Sequence, residues 1–160
     1  MDEIELRDFT PADGDWVIAR HGALYAAEAG FDESFEALVA EIVADFLLDH
    51  DPARERGWIA WSGGQRLGCI FCVRISDEAA KLRLFLLEPE ARGCGLGRKL
   101  LKACRDFARA QGYRQLRLWT HESHRAACAL YAASGFTVVS SKPVHSFGQD
   151  LIEMEWQIAL

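Results

Sequence analysis

The sequence predicts one α/β domain over residues 1–160: a mixed, mostly antiparallel sheet of six to seven strands with helices on both faces. Three observations carry this. Short alternating or apolar runs bounded by turn residues recur through the chain, as strands do. Four amphipathic stretches at helical spacing separate them, two near the start and two as crossovers near the centre. Finally, 160 residues with 50% hydrophobic content suit one core, which buries roughly 70% of the unfolded surface without disulfide or metal.

Ile4-Glu5-Leu6-Arg7 alternates apolar and charged residues as a half-buried strand, and Thr10-Pro11 marks a helix entry. The helical pattern from Asp13 to about Ala29 is loose, and Gly30 fits its stop. Phe35, Leu38, Val39, Ile42, Val43, Phe46 and Leu47 form a continuous apolar stripe, which predicts a helix from about Glu33 to Leu48. Trp58–Trp61 and Arg66–Ile75 read as a hairpin around Ser62-Gly63-Gly64-Gln65. Leu82–Leu87 is a further strand, ending at Pro89 before a glycine-rich turn. Leu96, Leu100, Leu101, Cys104, Phe107 and Ala108 then mark an amphipathic helix that ends at Gly112. Leu116–Thr120 is a strand, Arg125–Ser134 a short helix closed by Gly135, and Phe136–Ser140 and Leu151–Trp156 the last two strands. Trp58, Trp61, Trp119 and Trp156 sit in strands and are expected to pack the core.

Composition narrows the function classes. With 18 Lys+Arg against 24 Asp+Glu, the net charge of -6 argues against a whole-surface nucleic-acid binder. Five scattered cysteines, an odd number, read as reduced thiols, so a cytoplasmic protein is expected. The acidic start Met1-Asp2-Glu3-Ile4-Glu5 lacks the pattern of a signal peptide, and no run is long and apolar enough for a membrane span. His121-Glu122-Ser123-His124 falls one residue short of the zinc-protease spacing, and no metal is expected. Cys69-x-x-Cys72 lies in a strand, where the two side chains point to opposite faces, so both are read as core.

The chemistry concentrates in Arg92-Gly93-Cys94-Gly95-Leu96-Gly97-Arg98-Lys99, between a strand and a helix. Its three glycines let the backbone approach a ligand, and the helix start adds free N–H groups and a positive dipole end, so a phosphate or pyrophosphate is the expected guest. A Walker loop is disfavoured, because Arg98 stands where its second glycine belongs and Leu100 follows Lys99. A dinucleotide fingerprint is disfavoured too: its third glycine would fall at Leu100 or Arg98, and the acidic residue about 20 positions on is replaced by Gln115 or Arg117.

The pattern Arg-x-x-Gly-x-Gly over Arg92–Gly97 resembles the acyl-CoA pyrophosphate loop of the Gcn5-related N-acetyltransferase (GNAT) superfamily. His124-Arg-Ala-Ala127-Cys-Ala-Leu130-Tyr131, followed by Gly135-Phe136, is similar to that family's second signature, with His124 where Asn is usual. The resemblance implies a splayed sheet whose strand Leu82–Leu87, through Leu86 and Leu87, pairs with the pantetheine arm of acetyl-CoA. It implies further that Arg92, Gly93, Cys94, Gly95, Leu96, Gly97, Arg98 and Lys99 hold the pyrophosphate, and that His124 and Ala127 contact the same molecule. An acceptor amine would attack the thioester directly, with Tyr131 protonating the departing thiolate, a task suited to a positioned phenol. Cys94 has no task in that scheme.

For the amine's proton no single base stands out: the strand offers Lys81 and Arg83, and the candidates nearby are Glu88, Glu122 and His145. The resemblance places the acceptor near His21–Phe35 and Pro143–Asp150, which makes His21, Tyr25, Glu28, Phe31 and His145 the candidate substrate residues. Carboxylates and ring faces there would suit an ammonium. Arg20-His21-Gly-x-Leu-Tyr25, Phe35-Glu36-Ala-Leu-Val and His145-Ser-Phe-Gly also resemble acetyltransferase domains fused to MarR-type regulators, here as the catalytic half alone. The expected function is acetyl transfer to a small-molecule amine or to an amino group of a peptide or protein, by a monomer or homodimer; the alternative is a non-catalytic acyl-CoA-binding sensor module. A closed pocket around Tyr25 and His145 would favour the small molecule and an open groove the protein.

Overall fold

The computed structural model describes residues 3–160; Met1 and Asp2, part of the acidic start, lie outside the described residues. In chain order the elements are β1 (Glu5–Asp8), α1 (Gly14–Ala29), α2 (Glu33–Asp49), β2 (Arg56–Ser62), β3 (Gln65–Arg74), β4 (Ala79–Leu87), α3 (Leu96–Ala110), β5 (Gln115–His121), α4 (Arg125–Ala133), β6 (Thr137–Ser146) and β7 (Gln149–Ala159). The strands form one open seven-stranded sheet in the order β1-β2-β3-β4-β5-β7-β6. Every neighbouring pair is antiparallel except β4 and β5. That parallel pair needs a crossover, which α3 supplies.

Two cores sandwich the sheet. α1 and α2 bury Val17, Leu24, Val39, Val43 and Phe46 against Ile59, Cys69, Phe71 and Leu86. α3 and α4 bury Leu100, Leu101, Cys104 and Tyr131 against Ile70, Cys72, Leu82, Leu116, Leu118 and Trp156. Cys69 and Cys72 thus point to opposite faces. The predicted α2 stripe packs along its centre, while Leu38 and Leu47 at its margins stay exposed at 40% and 39%. Trp119 departs from the expected core role: it is 37% exposed, with the Lys81 ammonium 4.8 Å from its ring centroid. It belongs to neither core cluster, and a cation covers that ring face instead.

The end of the chain differs most from the sequence reading. β6 and β7 pair from Thr137↔Gln157 to Ser146↔Gln149, so Pro143 lies inside a strand rather than in a loop. β6 is the outermost strand of the sheet, and an edge strand tolerates a residue without N–H. The hairpin closes through Phe147 and Gly148, both left-handed at φ 56° and 75°, the geometry of a two-residue turn that matches strand twist.

His21 lies on α1, 1% exposed, with Nδ1–H donating to the Val17 carbonyl at 2.8 Å. Burial lowers its pKa from 6.5 to about 4, partly offset by that hydrogen bond. Between these values the unfolded chain takes up a proton that the folded chain refuses, so stability present above pH 6.5 is lost as pH falls through about 4. The shift corresponds to roughly 3 kcal/mol. His21→Phe is expected to remove this share of the acid sensitivity, read as a flatter dependence of the urea midpoint on pH.

Candidate active site

A groove of about 710 Å³ runs between the two halves of the sheet. It exists because β4 and β5 pair only over Ala79–Lys81 and Gln115–Arg117, although both strands continue. Beyond Lys81 the β5-facing edge of β4 has no strand partner. Backbone N–H and C=O groups in such a position call for a partner, and an extended amide chain provides one.

β4 is also bulged. Arg83 pairs with Phe71 and Leu86 with Cys69, so three steps on β4 match two on β3. The extra residue sits at Leu84, whose φ is 51°. The Cys69 thiol donates to the Leu84 carbonyl at 3.2 Å and holds the bulge. The bulge also reverses the strand's facing: Leu82 points to the α3/α4 core before it, and Phe85 and Leu87 do so after it. Phe85, Leu86 and Leu87 thereby line the groove.

At one end lies the glycine loop. Gly93 and Gly95 have φ of 80° and 86°, and a Cβ on either would meet no atom within 4 Å. Here the glycines serve conformation and leave open space above the loop. Gly97 differs: a Cβ there would stand 3.2 Å from Leu130 and 3.4 Å from Leu87, so it permits close packing of α3. Leu96 is buried and pins the loop to the core, and the exposed Cys94 donates its thiol to the Ala91 carbonyl at 2.9 Å.

The predicted phosphate cations are disposed unequally. Arg92 makes a bidentate pair with Glu28 at 2.8 and 2.9 Å and reaches the Leu87 carbonyl at 3.1 Å. Lys99 donates to the Ile4 carbonyl at 2.7 Å. Arg98 is exposed and makes no ion pair among the described residues. Hydrogen bonding to Arg92 lowers the pKa of Glu28. A second bidentate pair, Arg20 with the buried Glu88 at 2.5 and 2.8 Å, also ties α1 to the end of β4. Both carboxylates are therefore committed to guanidinium partners.

The other end is aromatic. Tyr25, Phe31 and His121 line the groove, and Phe147 packs behind them, 4.9 Å from Phe31 and 5.0 Å from Phe35 between ring centroids. The hairpin tip is fastened to the α1–α2 connection by the Asp32 N–H donating to the Phe147 carbonyl at 3.0 Å and by Gln149 donating to the Gly30 carbonyl at 3.0 Å. A left-handed phenylalanine held in this way is a local strain of the kind found at binding sites. His124 stands at the N-cap of α4 without a capping side-chain bond, edge-on to Tyr25 at 5.4 Å. Burial lowers the pKa values of both His121 and His124.

Tyr131 is not among the groove-lining residues; it is 4% exposed, its ring 6.3 Å from Phe85, 5.7 Å from Phe136 and 6.0 Å from Trp156. No hydrogen bond reaches its hydroxyl among the described residues, and burial pushes the phenol pKa upward.

The structure thus gathers Tyr25, Glu28, Phe31, Leu86, Leu87, Arg92, Gly93, His124 and Ala127 along one groove. It does not bring His21 there, since that ring is inside the α1/α2 layer. Nor does it bring His145, which lies on exposed β6, pairs with Asp150 at 2.8 Å and faces a separate hollow of about 340 Å³. Tyr25 and His145 do not share a pocket. Glu122 is exposed and does not line the groove. Sequence reasoning passed over His121, seen only as part of a failed metal motif, although its place at the end of a strand beside the glycine-loop unit was the available signal. Among the described residues no cluster of three His, Cys, Asp or Glu side chains suited to a metal forms.

Comparison with known proteins gives a consistent picture. The family model described as "Acetyltransferase (GNAT) family" matches residues 15–136. A curated relative, N-acetyltransferase 8F1 of Rattus norvegicus, is 29% identical over 121 residues, covering 72% of this chain and 51% of the relative. The chain spans about half the length of the curated relatives it matches. Among solved structures, an acetyltransferase from Streptococcus agalactiae 2603 superposes with a TM-score of 0.83 at 22% identity, covering 100% of both chains. A GNAT family acetyltransferase from Elizabethkingia anophelis with acetyl-CoA bound does so with a TM-score of 0.70 at 18% identity, again covering 100% of both.

Proposed function

The chain belongs to the acetyltransferase (GNAT) family, and from that premise we propose that it transfers an acetyl group from acetyl-CoA to the amine of a small molecule. The observation that carries this reading is the groove itself: an open glycine loop at one end, an unpartnered strand edge along the middle and an aromatic chamber at the other. These three features match a donor with an anionic head, an amide-bearing arm and a reactive end. The loop amides of Gly93–Gly97, the start of α3 and the Arg98 cation suit the pyrophosphate. The β4 edge from Leu82 to Leu87 suits the pantetheine amides, which pair with it as an added strand.

Direct attack needs the acceptor nitrogen unprotonated and the leaving thiolate protonated. Tyr131 serves the second need: buried beside Phe85, which lines the groove, its phenol keeps its proton throughout the neutral range and gives it up only to a strong base at close range. Tyr25 and Phe31 offer ring faces to an ammonium arriving from the chamber. A groove of this volume, bounded by the hairpin tip and the α1–α2 connection, supports a small acceptor over a protein surface. The sheet and both cores span the described residues, which supports reading 1–160 as one domain. Five free cysteines favour a reducing, cytoplasmic setting. The likeness to the catalytic half of MarR-fused acetyltransferases belongs to the same proposal and rests on the three sequence segments alone.

Calorimetric titration with acetyl-CoA, followed by thiol release against a panel of amines, tests this reading. Saturable binding with release on one amine class supports it. Binding without release on any amine replaces it with a sensor module, and no binding removes the acyl-CoA assignment altogether.

A further inference from the structure

We propose that His121 is the catalytic base that takes the proton from the acceptor ammonium, an inference that rests on the acetyl-transfer reading above. Its imidazole lies on the groove wall at the last residue of β5, half-buried, with its ring centroid 5.8 Å from Phe31 and 6.4 Å from Phe147. That is the aromatic chamber into which the acceptor's ammonium is drawn. The imidazole's backbone is held: the His121 carbonyl accepts from the His124 N–H at 2.9 Å and from the Cys128 thiol at 3.7 Å.

Other groups of the groove are committed elsewhere. Glu28 is occupied by Arg92 in two hydrogen bonds, and Asp150 accepts from His145 at 2.8 Å and projects to solvent. Glu88 is buried against Arg20 and does not line the groove. His124 also meets the chamber, 5.4 Å from Tyr25 between ring centroids, but it stands on the donor side of that ring, where Glu28 and Arg92 act on it electrostatically. His121 remains as the proton acceptor beside Phe31 and Phe147 at the acceptor end.

The groups facing this imidazole come from several elements. β7 contributes Glu153, its cross-strand partner, which favours the charged form and is loosely shared with Lys142 at 3.9 Å. The groove that His121 lines also holds His124 at the N-cap of α4, Tyr25 and Glu28 of α1 and Asp150 of β7. Burial outweighs Glu153 and holds the pKa below 6.5, so the ring is unprotonated and able to accept at neutral pH.

An unprotonated nitrogen of His121 removes one proton from R–NH3⁺, and the freed lone pair forms the N–C bond at the thioester carbonyl. Collapse of the tetrahedral adduct breaks the C–S bond; Tyr131 protonates the thiolate and recovers a proton from the adduct nitrogen as the amide forms. His121 passes its proton to solvent, so each turnover releases one proton with the free thiol.

The test compares wild type with His121→Gln by initial rates of thiol release from about pH 5.5 to about pH 10, with acetyl-CoA affinity measured on the same preparations. Wild-type kcat/KM for the amine is expected to be level from neutral pH upward, where the imidazole is already unprotonated. The variant is expected to lose at least about tenfold at neutral pH and to climb steadily toward the acceptor's own pKa near about 10, because it uses only amine already free in solution. Its affinity for acetyl-CoA stays within about twofold. A variant profile that superimposes on wild type overturns the assignment, and so does a parallel loss of rate and acetyl-CoA affinity with an unchanged profile, which marks His121 as structural. Wild-type binding without thiol release on any amine overturns the acetyl-transfer reading, and the base falls with it.

Discussion

Gly95→Val is expected to weaken acetyl-CoA binding by about 10²-fold while leaving the fold intact. Gly95 has φ of 86°, a region that costs an L-residue roughly 1–2 kcal/mol and a β-branched residue more. Nothing lies within 4 Å of its missing Cβ, so the cost of the substitution is the backbone conformation rather than a clash at that atom. The strain is instead relieved by turning the loop, which disperses the amides aimed at the phosphate, and the valine occupies the space through which a pyrophosphate approaches. Gly64→Val separates the two effects. That glycine has φ of 79° and the same open surroundings, but lies in the β2–β3 hairpin turn. It should lose comparable stability in a urea titration and retain wild-type affinity in calorimetry. Equal affinity for the two variants would remove the loop from the binding site.

Tyr131→Phe is expected to lower kcat about 10²-fold with little change in acetyl-CoA affinity, the range for loss of a positioned proton donor. The substitution keeps the ring packed against Phe85, Phe136 and Trp156. No hydrogen bond among the described residues acts on the Tyr131 hydroxyl, so the thermal midpoint should stay near wild type. Stopped-flow measurement of a single turnover, which isolates the chemical step from product release, is the direct check. An unchanged single-turnover rate would assign Tyr131 to the core alone.

The sheet's order of elements was legible because its strands and helices carry strong periodic signals, with the α2 stripe from Phe35 to Phe46 the clearest. The glycine loop was legible because both its composition and its place between strand and helix are local. What escaped depends on pairing between distant segments. The expected strand ends at Ser140, short of Pro143, because nothing local shows that this segment is an edge strand that continues to Ser146. Trp119 read as core because its burial depends on whether a helix covers that half of the sheet. The commitment of Arg92 to Glu28 spans 64 positions, and His21 turned inward on a helix whose apolar pattern is too loose to reveal its facing. His121 illustrates the same limit: its standing in the groove is created by the divergence of β4 from β5, which occurs between side chains far apart in sequence.

That divergence makes the seven strands two rafts joined by a short seam. Ala79–Lys81 and Gln115–Arg117, with the Glu78 carbonyl just before them accepting from the Arg114 and Gln115 N–H groups, stitch them together through the backbone. The angle between the rafts is set instead by side-chain volume in the α3/α4 core, where Ile70, Ala80 and Leu82 from one raft share a cluster with Leu116, Leu118 and Trp156 from the other. Close-packed interiors transmit a change of one methylene as displacement. The width of the cleft is therefore a packing property, and residues that never touch a ligand act as its spacers.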